Sequence, residues 1–151
     1  MLYYFDSSVI LAILLDEQRN KEATALWKDS TVRVSSLLLK LETITVLRRT
    51  YAYNRSRLEP SWLARKTNEL SGYLQAINFR IIDEEIEKII FLKKELAKCK
   101  TLDAIHIATA LEMSKLLPNA AFHLYTFDRE MAKLAKLLKL KINETREENY
   151  I

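Results

Sequence analysis

Glycine, proline and cysteine are almost missing from this sequence. Its 151 residues include one glycine (Gly72), two prolines (Pro60 and Pro118) and one cysteine (Cys99). So little glycine nearly excludes a phosphate-cradling loop and leaves no material for a flexible linker or a low-complexity tail. A single cysteine excludes an internal disulfide framework and suits a reducing compartment.

Long hydrophobic runs are also missing. The apolar stretches are interrupted before they reach the ~20 residues that cross a bilayer, and no positively charged segment precedes the first of them. We therefore expect a cytoplasmic protein with no membrane association and no leader. The length suits one domain, over residues 1–151. The net charge of +4 and the pI near 9.1 mildly favour a polyanionic partner.

Short strand patterns alternate with helix patterns along the whole chain. The predicted strands are Leu2–Phe5, Thr31–Ser35, Phe79–Ile82, Phe122–Phe127 and Lys139–Asn143. The predicted helices are Val9–Leu15, Arg19–Ser30, Ser36–Asn54, Glu59–Ile77, Glu84–Lys98, 101–117 and Arg129–Leu138, and Ser36 is the cap of the third. This alternation predicts an α/β fold whose parallel strands are joined by right-handed crossovers.

Two aspartates directly follow predicted strands. Asp6 comes after the strand that begins at Leu2, and Asp128 comes after the one that begins at Phe122. In an open parallel sheet, ligands bind beyond the carboxyl ends of the strands, so the two carboxylates suggest a shared site. Each aspartate also stands where the next helix begins, and a plain N-cap role is the alternative.

Two further acids lack the cationic neighbours of ordinary surface carboxylates. Glu42 has no lysine or arginine three or four residues away on its helix, so it needs a partner from elsewhere in the fold. Asp103 lies in the first turn of an apolar helix that Thr101 would cap, where the helix dipole alone would also favour an anion. We expect His106, three residues further on, to be a hydrogen-bonded core histidine rather than a metal ligand.

A cluster of carboxylates without cations has a chemical meaning. Such groups repel one another, and the usual reason to gather them is a hard divalent ion such as Mg²⁺ or Mn²⁺. A metal held in this way can activate water and stabilise an in-line displacement at phosphorus. The sequence has no serine-nucleophile elbow, no Walker loop and no zinc-type spacing of cysteine and histidine.

Four segments of the chain resemble the PIN-domain ribonucleases, and most closely the VapC-type toxins of prokaryotic toxin–antitoxin pairs. In order, they are FDSSVILAILL, LLLKLETITVLRR, TLDAIHIATALE and LYTFDREMAKLAKLLKL. The resemblance implies a three-layer α/β/α sandwich with a short, mostly parallel sheet. It also implies a Mg²⁺- or Mn²⁺-dependent endoribonuclease with an RNA substrate, a cognate antitoxin and a homodimeric state. Its catalytic metal ligands would be Asp6, Glu42, Asp103 and Asp128, supported by the hydroxyls of Ser8 and Thr126.

Four basic residues are candidates for binding RNA near these acids, namely Arg48, Arg49, Arg129 and Lys133. A solvated basic face is the alternative for each of them.

Two other functions are alternatives for the whole chain. The first is a PIN-like RNA-binding or assembly module with weak or no catalysis. The second is a phosphatase of the haloacid-dehalogenase type, which would need Asp-x-Asp after the first strand, where this chain has Ser8.

Overall fold

A computed structural model describes residues 1–116 and 121–143 of the chain. Its four strands are β1 (Leu2–Phe5), β2 (Val32–Ser36), β3 (Asn78–Arg80) and β4 (Phe122–Tyr125). Its α-helices are α1 (Ser7–Leu14), α2 (Asn20–Asp29), α3 (Leu38–Tyr53), α4 (Trp62–Gln75), α5 (Glu84–Leu92), α6 (Thr101–Leu116) and α7 (Arg129–Leu137), with a 3-10 helix at Lys94–Lys98. Leu117, the predicted end of the sixth helix, lies outside the described residues.

The four strands form one parallel sheet in the order β3-β2-β1-β4. β1 lies between two neighbours, with Leu2 opposite both Val32 on β2 and Phe122 on β4. A central parallel strand is covered on both faces, and this explains why Leu2–Phe5 is apolar throughout instead of alternating. The predicted parallel sheet with helical crossovers is therefore confirmed.

Side chains of β1 alternate between two separate hydrophobic cores. Tyr4 packs on one face with Ile107 of α6 and other residues of α5, α6 and α7. Phe5 packs on the opposite face with Ile10 of α1 and Leu39 of α3. Helices thus cover both faces of the sheet, which confirms the three-layer α/β/α architecture. Burial of each such large side chain contributes roughly 1.5–3 kcal/mol.

The predicted closing strand, Lys139–Asn143, is wrong in extent. Only an isolated bridge between Leu124 and Ile142 joins this segment to β4. Lys139 has a left-handed backbone with φ of 64°, which turns the chain sharply after α7. At the other end of the segment, Asn143 uses its side-chain oxygen to accept a hydrogen bond from the Thr126 N–H, at 2.9 Å.

The predicted helix Glu84–Lys98 is divided in two. Lys93 has an extended backbone (φ −93°, ψ 95°), so α5 ends at Leu92 and a 3-10 turn follows. In the part of the chain that the structure describes, every helix is too short or too polar to span a bilayer.

Candidate metal centre

Asp6 lies at the carboxyl end of the central strand and at the start of α1. The residue is almost fully buried, with 2% of its surface exposed. As N-cap it accepts a hydrogen bond from the Ser8 N–H at 3.4 Å, and the Ser8 hydroxyl donates to the same oxygen, Oδ2, at 2.6 Å. The capping role and the position at the sheet edge therefore belong to one residue and do not exclude each other.

Two hydroxyl groups connect Asp6 to the segment that follows β4. Thr126 donates to Asp6 Oδ2 at 3.0 Å and accepts from the Asp128 N–H at 3.0 Å. Ser8 accepts from the Phe127 N–H at 2.9 Å while it donates to Asp6. The structure thus places both predicted supporting hydroxyls on one carboxylate oxygen, where each also holds a backbone N–H.

Glu42 reaches the same place from the first half of α3. Its partner is His106 of α6, whose Nε2 lies 2.5 Å from Glu42 Oε1 and 3.6 Å from Asp6 Oδ1. One potential ligand atom from each of these three side chains lies within 4.8 Å of the other two. The missing partner of Glu42 is therefore a histidine from a distant helix, which no spacing rule within α3 could reveal.

His106 is fully buried, as predicted for a core histidine, yet it adjoins the acidic centre. Its Nδ1 lies 2.7 Å from the hydroxyl of Tyr4 on β1, so both ring nitrogens are hydrogen-bonded. Burial by itself would lower the pKa of the imidazole. The hydrogen bond to Glu42 and the negative charges of Asp6, Glu42 and Asp103 outweigh burial, so the pKa of His106 is raised. The one sequence signal was its position three residues after Asp103.

Asp103 and Asp128 are not among the three residues whose ligand atoms lie within 4.8 Å of one another. Their charges nevertheless belong to the same region of the molecule. Burial raises the pKa of the Asp103 carboxyl first, and the charges of Asp128, Asp6 and Glu42 raise it further. Asp128 is the N-cap of α7, where its Oδ1 accepts a hydrogen bond from the Met131 N–H at 2.9 Å. Asp103 is therefore close enough to the other three predicted acids to be affected by their charges.

The four predicted basic residues are all exposed, but their positions differ. Arg49 follows Glu42 by seven residues on α3, so it lies on the same helix face about 10 Å along the axis. Arg48 is rotated by roughly 120° from that face. Arg129 directly follows Asp128, whereas Lys133 forms an exposed ion pair with Glu130 at 3.0 Å.

A cleft of about 420 Å³ opens beside Asp128, and sequence reasoning missed it. Its walls are formed by Ser8, Glu17, Gln18, Arg19, Phe127 and Asp128. The Arg19 guanidinium lies 3.8 Å from the centre of the Phe127 ring, and Glu22 holds it through two hydrogen bonds of 2.9 and 2.7 Å. A cation and an aromatic ring thus border the acidic centre.

This chain is an α/β/α sandwich. Its acidic centre lies at the carboxyl edge of a short parallel sheet, between two helical layers. The PIN domain family model matches residues 3–137, and the chain is a member of that family. No curated protein sequence gives a significant match. Membership of the PIN family removes the haloacid-dehalogenase alternative.

Three solved structures share the fold at low sequence identity. VapBC2 from Rickettsia felis, bound to a DNA fragment from its promoter, has a TM-score of 0.63 and 13% identity over 95% of this chain and 98% of its own. VapC20 from Mycobacterium tuberculosis, a sarcin–ricin loop cleaving toxin, has a TM-score of 0.59 and 18% identity over 87% and 93%. VapBC-1 from nontypeable Haemophilus influenzae has a TM-score of 0.59 and 14% identity over 95% and 98%.

Proposed function

We propose that this PIN domain is a metal-dependent endoribonuclease and the toxin of a VapC-type toxin–antitoxin pair. The observation that carries the proposal is the meeting of Asp6 and Glu42 at the carboxyl edge of the sheet, with Asp103 and Asp128 in the same field. Fold similarity to three Vap proteins over nearly their whole length supports the assignment to this type.

The donor set fits Mg²⁺ or Mn²⁺. Asp6, Glu42, Asp103 and Asp128 offer carboxylate oxygens, which hard divalent ions prefer. Burial raises the pKa of Asp103 most, and the charges of Asp128, Asp6 and Glu42 add to it; a bound cation would offset that repulsion. When bound, such an ion supplies a Lewis acid that activates water and neutralises charge at phosphorus.

The remaining residues of the site hold these carboxylates and bind the substrate. Ser8 and Thr126 fix the Asp6 carboxylate through their donated hydrogen bonds. Arg49, on the helix face of Glu42, and Arg129, next to Asp128, would bind phosphates, and Arg48 and Lys133 would contribute long-range attraction.

The substrate and the partners follow from the family resemblance. VapC20 cleaves the sarcin–ricin loop, and we propose RNA as the substrate here as well. We also propose a cognate antitoxin that covers the acidic centre, by pairing a basic side chain with the carboxylates or by steric cover. The toxin itself would be a cytoplasmic homodimer, and light scattering of the purified protein would measure its mass directly.

The decisive experiment is RNA cleavage by the purified protein with Mg²⁺, Mn²⁺ or EDTA. We expect cleavage with either metal and none with EDTA. Asp6→Asn, Glu42→Gln and Asp103→Asn should each lower the rate at least ~10²-fold, because each loses a ligand charge. Glu84→Gln, which neutralises an exposed acid on α5, is the matched control and should cleave normally.

The outcomes separate the functions under consideration. Normal rates in all three site variants would refute the proposed centre, and activity in EDTA would refute the metal mechanism. RNA binding without cleavage under every condition would instead favour the PIN-like RNA-binding or assembly module. Stoichiometric inhibition by a protein encoded beside this chain would support the antitoxin, and full activity in the saturated complex would contradict occlusion.

A further inference from the structure

A buried chain of hydrogen bonds leads from the backbone of β2 to Glu42. The Ser36 N–H lies 3.1 Å from the Tyr4 hydroxyl, which lies 2.7 Å from His106 Nδ1. On the other side of the imidazole, Nε2 lies 2.5 Å from Glu42 Oε1. Tyr4 and His106 have no exposed surface, so water does not compete for the bonds that the Tyr4 hydroxyl makes.

The number of hydrogens on each group determines which atom donates and which accepts in this series of hydrogen bonds. The Ser36 N–H can only donate, so the Tyr4 oxygen accepts that bond and is left with one hydrogen of its own. That hydrogen is available to His106 Nδ1, and the hydrogen of a neutral imidazole then resides on Nε2 and points to Glu42.

The opposite tautomer is unfavourable here. With its hydrogen on Nδ1, His106 would present the lone pair of Nε2 to a carboxylate oxygen 2.5 Å away. A charged imidazole also carries a hydrogen on Nε2. In each favourable state, therefore, this nitrogen is a donor to Glu42, and it is not a metal ligand despite its proximity to Asp6.

We propose that Tyr4 and His106 are positioning residues that prepare Glu42 for the metal. His106, held by Tyr4, occupies Glu42 Oε1, so Oε2 is the oxygen that would bind the ion. Glu42 is partly exposed on α3, with 20% of its side chain accessible, and an unrestrained glutamate there would sample several rotamers. This inference rests on the proposed function, in which Glu42 is a ligand.

Mn²⁺ binding to the intact chain, measured by electron paramagnetic resonance without RNA, tests this inference. Tyr4→Phe removes the hydroxyl that links Ser36 to His106. It should raise the Kd for Mn²⁺ about 10–100-fold, the usual effect of losing a residue that holds a metal ligand in place. Tyr3→Phe is the matched control, because Tyr3 is the next residue of the same strand and faces the opposite core. Its Kd should stay within roughly twofold of wild type.

A pair of histidine variants separates positioning from mere core packing. The amide of His106→Gln can place a donor near the former Nε2, whereas the shorter His106→Asn can reach only the former Nδ1 position. We expect His106→Gln to retain much more of the Mn²⁺ affinity than His106→Asn. If Tyr4→Phe fails to fold, as judged by circular dichroism, this comparison alone decides the question.

The imidazole nitrogen resonances provide a readout that packing alone would not move. In the wild type, long-range proton–nitrogen correlations should identify His106 as protonated on Nε2, and Tyr4→Phe should weaken that preference. His123, the second histidine, serves as the internal reference.

Two outcomes oppose the inference in distinguishable ways. If Tyr4→Phe and His106→Asn bind Mn²⁺ as tightly as the wild type, the residues are structural and the inference is overturned. If the wild type itself binds no Mn²⁺, the proposed function fails and the positioning role falls with it.

Discussion

The Thr126 hydroxyl donates a 3.0 Å hydrogen bond to Asp6 Oδ2, across 120 residues of sequence. The hydroxyl oxygen of Thr126 also accepts a hydrogen bond from the Asp128 N–H, so this small side chain fixes both the carboxylate after β1 and the turn after β4. Both groups are inaccessible to solvent at this point, since Thr126 is 1% and Asp6 2% exposed. The geometry of two predicted metal ligands thus depends on one hydroxyl.

Thr126→Val should therefore reduce stability and metal affinity together. The substitution leaves a buried carboxylate and a backbone N–H each without one hydrogen bond, at a cost of about 1–3 kcal/mol in unfolding free energy. We expect the Kd for Mn²⁺ to rise about 10–100-fold. Urea unfolding and a Mn²⁺ titration measure the two effects.

Thr126→Ser keeps the hydroxyl and should restore most of both properties. Thr43→Val is the control for a buried threonine, because its hydroxyl donates to Leu39 O within its own helix at 2.8 Å. It should leave the Mn²⁺ affinity unchanged. Equal Mn²⁺ binding by Thr126→Val and the wild type would contradict a role of this hydroxyl in the site.

Asp103→Asn, unlike Thr126→Val, should abolish function without lowering the stability of the metal-free protein. Burial and the charges of Asp128, Asp6 and Glu42 disfavour the ionised carboxylate, so its removal relieves repulsion. Without metal, the variant should melt at the same temperature as the wild type or higher, while cleavage is lost. A simple helix cap would instead cost ~0.5–2 kcal/mol when neutralised.

Metal should reverse this order of stabilities. At ten times its Kd, an ion that binds only the folded state adds about 1.4 kcal/mol, or roughly 3–6 °C in Tm for a chain of this length. Thermal melts in EDTA and in Mn²⁺ should show most of that gain lost in Asp103→Asn and retained in Glu84→Gln. A lower Tm in EDTA with an undiminished gain from Mn²⁺ would identify Asp103 as a structural cap.

Arg49 and Arg48 should differ in RNA binding although they are adjacent in sequence. Arg49 shares the helix face of Glu42, and Arg48 does not. Arg49→Ala should weaken RNA binding similarly across sequences and reduce the slope of affinity against salt by about one phosphate contact. Binding isotherms of the metal-free protein at several salt concentrations provide the measurement, with Arg48→Ala as the control. Equal effects of the two substitutions would indicate only general attraction by a basic surface.

Cys99 should report on the charge of the acidic centre. Burial raises the pKa of this thiol, and the charges of Asp103 and Asp128 raise it further. Because the thiolate is the reactive form, iodoacetamide should modify Cys99 more slowly at mildly alkaline pH than it modifies a small free thiol. Mn²⁺ beside those aspartates should lower the pKa again and accelerate the reaction roughly two- to fivefold.

Cys99 is the only cysteine in the chain, so mass spectrometry measures its modification without interference. Asp103→Asn should react faster than the wild type in EDTA and respond less to Mn²⁺. A rate that is indifferent to the metal in the wild type would show that no cation binds close to Asp103 and Asp128.

Local sequence rules were sufficient for the framework of this protein. The uninterrupted apolar run at Leu2–Phe5 predicted a central strand, because both faces of such a strand are buried. The aspartates after β1 and β4 were recognisable from their positions alone, since parallel strands present their carboxyl ends at one edge. Four short segments in order were enough to indicate the PIN family, which the family model confirms.

Local rules were less reliable where an element ends. Lys93 breaks the predicted helix Glu84–Lys98, although no glycine or proline marks the position. Lys139 adopts a left-handed backbone that ordinary lysines avoid. At Lys139 the Leu140 N–H donates to Ala135 O at 2.9 Å, a bond that closes the carboxyl end of α7 across the left-handed residue. At Lys93 the helix propensities of ordinary residues, which differ by less than about 1 kcal/mol, do not mark a helix end.

The interior of the site was decided by the tertiary structure. Tyr4 and His106 are 102 residues apart, and His106 and Glu42 are 64 apart, yet they form one hydrogen-bonded chain. The residue type and its apolar surroundings predicted that His106 is a core histidine, and this is confirmed. Its two hydrogen-bond partners, however, come from different layers of the fold. Periodicity and spacing describe neighbours along the chain. The partners of a buried polar group are instead determined by which strand and helix the crossovers bring against it, and by the cost of leaving such a group without a hydrogen bond.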